Sequence, residues 1–175
     1  KTQGLLLPLS RRENITLPVL PKLANSGVVD GRAERRDTAR MVQQLAIRTA
    51  SGETPVRFLS GGNQQKVGIA KWLLTEARIY LMYDPTRGID VATKQEIYGL
   101  IRQLADAGNA VLLFSTDLTE IIGLCDRSLV MYEGAIVREL QRDELTKENL
   151  IAAALGLSDA DLAAAREAGT LEVVA

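Results

Sequence analysis

Leu59-Ser60-Gly61-Gly62-Asn63-Gln64-Gln65-Lys66 decides how the rest of the chain is read. A hydroxyl and two glycines stand immediately before an apolar-periodic stretch, the pattern of a helix start capped by Ser60. Bare glycines let an anion approach the backbone closely. The free N–H groups and positive dipole end of the first turn attract such an anion. Ser60 can donate to a phosphate oxygen, and Gln64 can supply another polar contact. The same residues also serve as an ordinary loop-to-helix junction, so local physics leaves both readings open.

Outward from this octet, the helix is expected to run to about Thr75. Residues 79–83 (IYLMY) form a continuous apolar run, predicting a buried strand. Asp90 is placed to cap a helix reaching Ala107, with Ile97, Leu100, Ile101 and Leu104 on one face and Gly108 ending it. Residues 110–115 (AVLLFS) predict a second buried strand and residues 118–124 a short helix. Residues 128–132 and 135–140 predict a hairpin about Glu133-Gly134. Upstream, Pro18 and Pro21 break residues 1–30 into short pieces and loops. Residues 32–48, with Met41, Val42, Leu45 and Ala46 at helical spacing, predict an amphipathic helix. Downstream, Thr146 can cap a helix to Leu155 and Ser158 another through Ala168, in an Ala-rich tail. Strand, helix, strand, helix in this order implies parallel strands with right-handed crossovers, an α/β fold.

Composition narrows the function. The 175 residues are 46% hydrophobic and 25% charged, ordinary globular values. A net charge of −1 supplies no basic face, so nucleic acid is not an expected partner. The longest apolar runs, 110–114 and 151–157, fall far short of the roughly 18–20 residues that cross a bilayer. No direct membrane insertion is expected, and any link to a membrane runs through a partner. The single cysteine, Cys125, excludes an internal disulfide and fits a reducing compartment. The absence of histidine excludes imidazole catalysis and histidine metal sites. The chain opens on Lys1 rather than Met, in mid-pattern, so a fragment of a longer protein is expected.

The octet resembles the signature motif of ATP-binding cassette (ABC) ATPases, in the variant found in the second ATPase domain of sugar importers of the ribose/galactose type. Lys71-Trp72-Leu73 is similar to the same family. Pro85-Thr86-Arg87-Gly88-Ile89-Asp90 resembles its D-loop segment. With Lys94, Glu96-Ile97-Tyr98 and residues 130–134, the likeness spans residues 4–155. It implies a partial P-loop nucleotide-binding fold with a helical signature subdomain. It also implies three parts: lead-in loops and helical subdomain (1–58), signature helix and C-terminal half of the core (59–141), and a helical tail (142–175).

The resemblance implies ATP and Mg²⁺ as ligands of the intact protein. The implied partners are a second ABC ATPase domain and membrane permease subunits, and the implied location is the cytoplasmic face of the inner membrane. Family domains pair head to tail, each ATP lying between the P-loop of one and the signature of the other. Ser60, Gly61, Gly62 and Gln64 would therefore serve the partner's ATP, with Asp90 near the same interface. Asp84 and Thr116 would serve this domain's own ATP, Asp84 by accepting a proton and Thr116 through its hydroxyl at the γ-phosphate.

Three departures stand beside this. The family's strand ends in Asp then Glu, where this chain has Tyr83 and Asp84. A phenol is a poor Mg²⁺ ligand, and no metal ligand is assigned. Asp84 can act as base, take over the metal, or merely cap the turn. Ser115-Thr116-Asp117 replaces the switch histidine, as in many sugar-importer second domains. No G-x-x-x-x-G-K-[ST] occurs in these residues, so the chain is expected to lack the P-loop half of the family's core. The isolated chain is then expected to be inactive, its trans-acting half better kept than its cis-acting half. Alternatives are a non-catalytic module that completes a partner's ATP site and docks a permease, an ABC-type ATPase of DNA repair or chromosome organisation, and an unrelated α/β domain.

Overall fold

The computed structural model describes residues 4–48, 51 and 53–157. They divide between Leu112 and Leu113 into two compact units, each with its own apolar core.

The first unit opens with α1 (Arg11–Thr16), started by a reciprocal capping box. Ser10 Oγ accepts from the Glu13 N–H at 3.2 Å, and the Ser10 N–H donates to the Glu13 carboxylate at 2.7 Å. Pro18 and Pro21 fall at the starts of a 3₁₀ turn (Leu17–Val19) and of α2 (Leu20–Leu23), where a missing N–H does no harm. Strands β1 (Ala24–Asn25) and β2 (Val28–Val29) close a small antiparallel hairpin. Its turn residues Ser26 and Gly27 both take positive φ, as a two-residue hairpin turn requires. The expected short pieces are thus an ordered series.

Helix α3 (Gly31–Gln44) begins at Asp30, whose carboxylate accepts from the Arg32 and Ala33 N–H groups. It stops short of the expected residue 48 because Ala46 turns to φ +46°, which no right-handed helix accommodates. Glu34 is buried on this helix, ion-paired with Arg12 and accepting from Thr16 Oγ1 at 2.9 Å. Arg12 also grips Glu53 through two bonds of 3.0 and 2.9 Å. The buried carboxylate is therefore both paired and hydrogen-bonded, the condition under which such burial is tolerated.

Helix α4 (Gly61–Leu73) follows a 3₁₀ turn (Val56–Phe58). Its Val67, Ala70 and Leu73 pack with Ile15, Met41, Val56 and Tyr80 in the core of the unit. Burying each large member of that cluster contributes about 1.5–3 kcal/mol relative to exposure. Strand β3 (Ile79–Tyr83) leads to α5 (Val91–Asp106), which Gly108 ends at φ +85°, and then to β4 (Ala110–Phe114). Strands β3 and β4 pair with each other.

The expectation that β3 is buried is corrected. Tyr80 is buried in the core and Met82 packs partly buried against it, whereas Ile79, Leu81 and Tyr83 are 67%, 76% and 71% exposed. Alternate residues point to opposite faces of a strand, and among the described residues only one face of β3 is covered. Leu112 on β4 is exposed as well. Residues of β3, with Trp72 of α4, line an open cavity of about 520 Å³.

In the second unit, α6 (Leu118–Leu124) starts from Asp117, which accepts from the Thr119 N–H at 3.0 Å. Strands β5 (Arg127–Tyr132) and β6 (Ala135–Gln141) form the expected antiparallel hairpin, with a register shift between Val130 and Met131. Its turn residues Glu133 and Gly134 both have positive φ. After a 3₁₀ turn (Arg142–Glu144), α7 (Lys147–Ala154) begins at Thr146, as the sequence predicts. Val130, Leu140, Leu145, Leu150 and Ala153 form the core. The helix expected from Ser158 to Ala168 lies outside the described residues. No described helix is long and apolar enough to cross a membrane.

Candidate functional site

Ser60 ends the preceding loop in extended geometry (φ −59°, ψ 156°) and caps α4. Its hydroxyl oxygen accepts from the Asn63 backbone N–H at 3.4 Å and from the Asn63 side-chain amide at 2.9 Å. Gly61 and Gly62 occupy the first turn, whose N–H groups have no partner within the helix. A Cβ at Gly61 would meet nothing within 4 Å. At Gly62 a Cβ would lie 2.9 Å from both Cγ2 and Oγ1 of Thr93. Thr93 is itself held by Asp90, through its N–H at 2.9 Å and its hydroxyl at 2.8 Å.

The start of the signature helix therefore rests on the start of α5. Ser60, Gly61, Gly62 and Asp90, predicted separately from sequence, come together through the Gly62–Thr93 contact. The Thr93 backbone N–H, and after it the Thr93 hydroxyl, hold the Asp90 carboxyl below the usual carboxylate range. Asp90 is thus a fixed negative charge where two helix starts meet, and it complements the dipole of α5.

Gln64 directs its amide N–H groups to the carbonyls of Val56 and Leu59, each at 3.1 Å. Its donors fasten the loop ahead of Ser60 to the helix. Further along α4, the buried Lys66 donates to the Ala46 carbonyl at 3.2 Å and pairs with Glu96 of α5. Lys71 donates to the Gly4 carbonyl at 2.8 Å. These cations are internal struts that fix α4 against its neighbours.

Tyr83 and Asp84 lie where β3 ends. Tyr83 is solvent-facing, while Asp84 is buried at φ +43° in the turn that follows. The Asp84 carbonyl accepts from the Arg87 N–H at 3.2 Å, and its carboxylate lies 3.6 Å from the Arg87 guanidinium. A single carboxylate fits Mg²⁺ only as one ligand among phosphate oxygens and waters, which is how that ion is commonly held. Among the described residues no group of three or more acidic or cysteine side chains forms a metal site.

Thr116 belongs to the second unit, exposed between β4 and α6. Beside it, the Ser115 hydroxyl donates to the buried Glu120 carboxylate and accepts from the Asp117 N–H at 3.0 Å. Glu120 is 1% exposed. Sequence reading missed this carboxylate, and it passed over Asn63 and Thr93. Asn63 carried a signal, since a polar residue three places after a capping Ser can reach back to it. Thr93 carried none, because its importance comes from a contact across two helices.

No protein-family model matches the chain. Curated proteins do. The ribose import ATP-binding protein RbsA 1 of Rhizobium johnstonii is 54% identical over 158 residues, 90% of this chain and 31% of that protein. Its namesake in Mesorhizobium japonicum is 56% identical over 157 residues, covering 90% and 30%. The L-arabinose transport ATP-binding protein AraG of Geobacillus stearothermophilus is 48% identical over 151 residues, covering 86% and 29%. The chain thus spans only about 30% of the length of the curated relatives it matches.

Among solved structures, a dimeric ATP-binding cassette bound to ADP and Pi in a post-hydrolysis state aligns at TM-score 0.68 and 25% identity, over 80% of this chain and 60% of that one. An ATP-binding cassette of an ABC transporter aligns at TM-score 0.71 and 18% identity, over 86% and 63%, a likeness of fold. The α/β arrangement is that of part of an ABC ATPase cassette. The chain belongs to the family of ATP-binding cassette proteins that includes these ribose and arabinose import ATP-binding proteins.

Proposed function

We propose that this chain is the signature-bearing part of the ATP-hydrolysing subunit of a sugar importer, and that its signature completes an ATP site across a domain interface. The observation that carries the reading is the start of α4. Ser60 and the unhindered Gly61 stand exposed at a capped helix N-terminus, within a chain about half identical to ribose import ATP-binding proteins. In this reading the first-turn N–H groups and the Ser60 hydroxyl take phosphate oxygens of ATP bound by a second ABC domain. Gly62 keeps that turn against Thr93, Gln64 holds the loop, and Asp90 borders the interface. ATP with Mg²⁺ supplies the phosphoryl bond and the charge neutralisation its hydrolysis needs. In the same reading Asp84 orients or accepts a proton for ATP, and the family resemblance gives the Thr116 hydroxyl a γ-phosphate contact.

Closure of the paired domains would drive a membrane permease, placing the protein peripherally on the cytoplasmic face of the membrane. Residues 1–58 would serve as lead-in and helical subdomain, 59–141 as signature and core, and 142–175 as tail. Without a P-loop, this stretch by itself is expected to turn over no ATP.

Gly61→Asp tests the reading in the intact protein with its permease. Space around Gly61 is open, and an acidic side chain in the first turn favours a helix by about 0.3–1 kcal/mol. Folding is therefore preserved while a negative charge faces the phosphates. ATP hydrolysis and sugar uptake into vesicles are expected to fall tenfold or more, and unchanged hydrolysis sinks the proposal. A second reading, a non-catalytic module serving only a partner's site, is favoured by the solvent-facing Tyr83 where the family has a carboxylate. Tyr83→Asp in the same assay separates the two: a large gain marks a weakened enzyme, and no change marks the module.

A further inference from the structure

We infer that Asn63 is a positioning residue for bound nucleotide, setting the direction in which Ser60 donates its proton. The inference rests on the reading of Ser60 as a phosphate donor and goes beyond it. A serine hydroxyl has one O–H to donate and two lone pairs to accept with. Both N–H sources of Asn63 converge on those lone pairs, the backbone at 3.4 Å and the side-chain amide at 2.9 Å. The one O–H is left over, free to point away from the helix.

The orientation of the Asn63 amide follows from its other partner. Asn63 Oδ1 accepts from the Arg48 backbone N–H at 2.8 Å. A backbone N–H can only donate, so the amide oxygen must face Arg48 and the NH₂ group must face Ser60. The loop after α3 thereby fixes the amide, and the amide fixes the hydroxyl. A phosphate oxygen can only accept, so an outward O–H is the arrangement that suits it. Ser115 shows the opposite setting in the same chain: its O–H is turned inward to the Glu120 carboxylate.

Asn63→Asp is the informative change. The carboxylate keeps the shape and still accepts from Arg48. Its second oxygen now also accepts, so the Ser60 O–H turns inward. Because the new charge could act on phosphate by itself, the variant is made with and without Ser60→Gly. Glycine replaces a capping serine at little loss of helix stability. In the intact protein with its permease, three quantities are read: kcat and KM for ATP, Kd for a non-hydrolysable ATP analogue with Mg²⁺, and the thermal midpoint.

Asn63→Asp alone is expected to lower kcat and weaken analogue binding about tenfold or more, with the thermal midpoint held within a few degrees. In the Ser60→Gly background it should change either quantity less than twofold, since residues acting through one another are non-additive. Equal effects in both backgrounds would show charge alone and overturn the inference while leaving Ser60 its role. A silent Asn63→Asp beside a damaging Ser60→Gly overturns it likewise. A silent Ser60→Gly overturns both this inference and the phosphate-donor reading beneath it. Asn63→Leu, which removes both bonds without adding charge, covers the case of a poorly folding aspartate variant: a Ser60-dependent loss supports the inference, and none overturns it.

Discussion

Two adjacent glycines do different work at the head of α4. Gly61 has open space about it, so alanine there supplies helix propensity without contact, worth up to about 1 kcal/mol. At Gly62 the same methyl group would meet Thr93 at 2.9 Å. Thr93 is short, β-branched and held by Asp90 at 2.8 Å, so it has little freedom to turn aside. Gly62→Ala is therefore expected to destabilise by about 1–3 kcal/mol, whereas Gly61→Ala should be neutral or stabilising. Denaturant unfolding of the two variants side by side checks this, and equal midpoints would mean that the two helix starts do not bear on each other. The sequence displayed the glycine pair plainly. It could not show which one was needed for space, because that depends on a residue some thirty positions away.

At the level of elements, caps were readable and coverage was not. Ser60, Asp90 and Thr146 were recognised as helix starts because a capping side chain acts on its own next turn. The Ser10–Glu13 box was written in the same local terms but was passed over for the prolines that follow it. The apolar run of β3 said that its residues favour an interior, and nothing in it said what would lie over them. Tyr80 is the one buried residue of the strand, with Met82 packed at the edge of the same core, so Tyr80→Ala should cost about 3 kcal/mol. Leu81→Lys, on the bare side, should shift the stability of this chain by no more than about 0.5 kcal/mol. It should also reduce self-association, since an exposed apolar strand invites contact with another copy. Sedimentation across a concentration series would show the difference, and equal association of Leu81→Lys and the parent would mean that this face is not adhesive.

Across the whole molecule, acidity is the common lever. Hydrogen bonds from Ser10 lower the Glu13 carboxyl, and backbone N–H groups at helix starts lower Asp30 and Asp90. Arg12 lowers Glu53, and Arg127 lowers Glu139. Each folded value lies below the unfolded one, so the stabilisation is present in full above the ordinary carboxylate range near pH 4. It is lost as pH falls through the depressed folded values, when the folded state must take up those protons. The thermal midpoint should be nearly flat from about pH 8 to 5 and decline steadily below about pH 4; a midpoint that rises on acidification would contradict these assignments. The contact between Gly62 and Thr93 bears finally on descent. A lineage that enlarges the first must make room at the second, and one that changes Gly62 first passes through a poorer protein. The two positions are then passed on as one character, and a substitution borrowed from a relative at either place makes sense only when its companion comes with it.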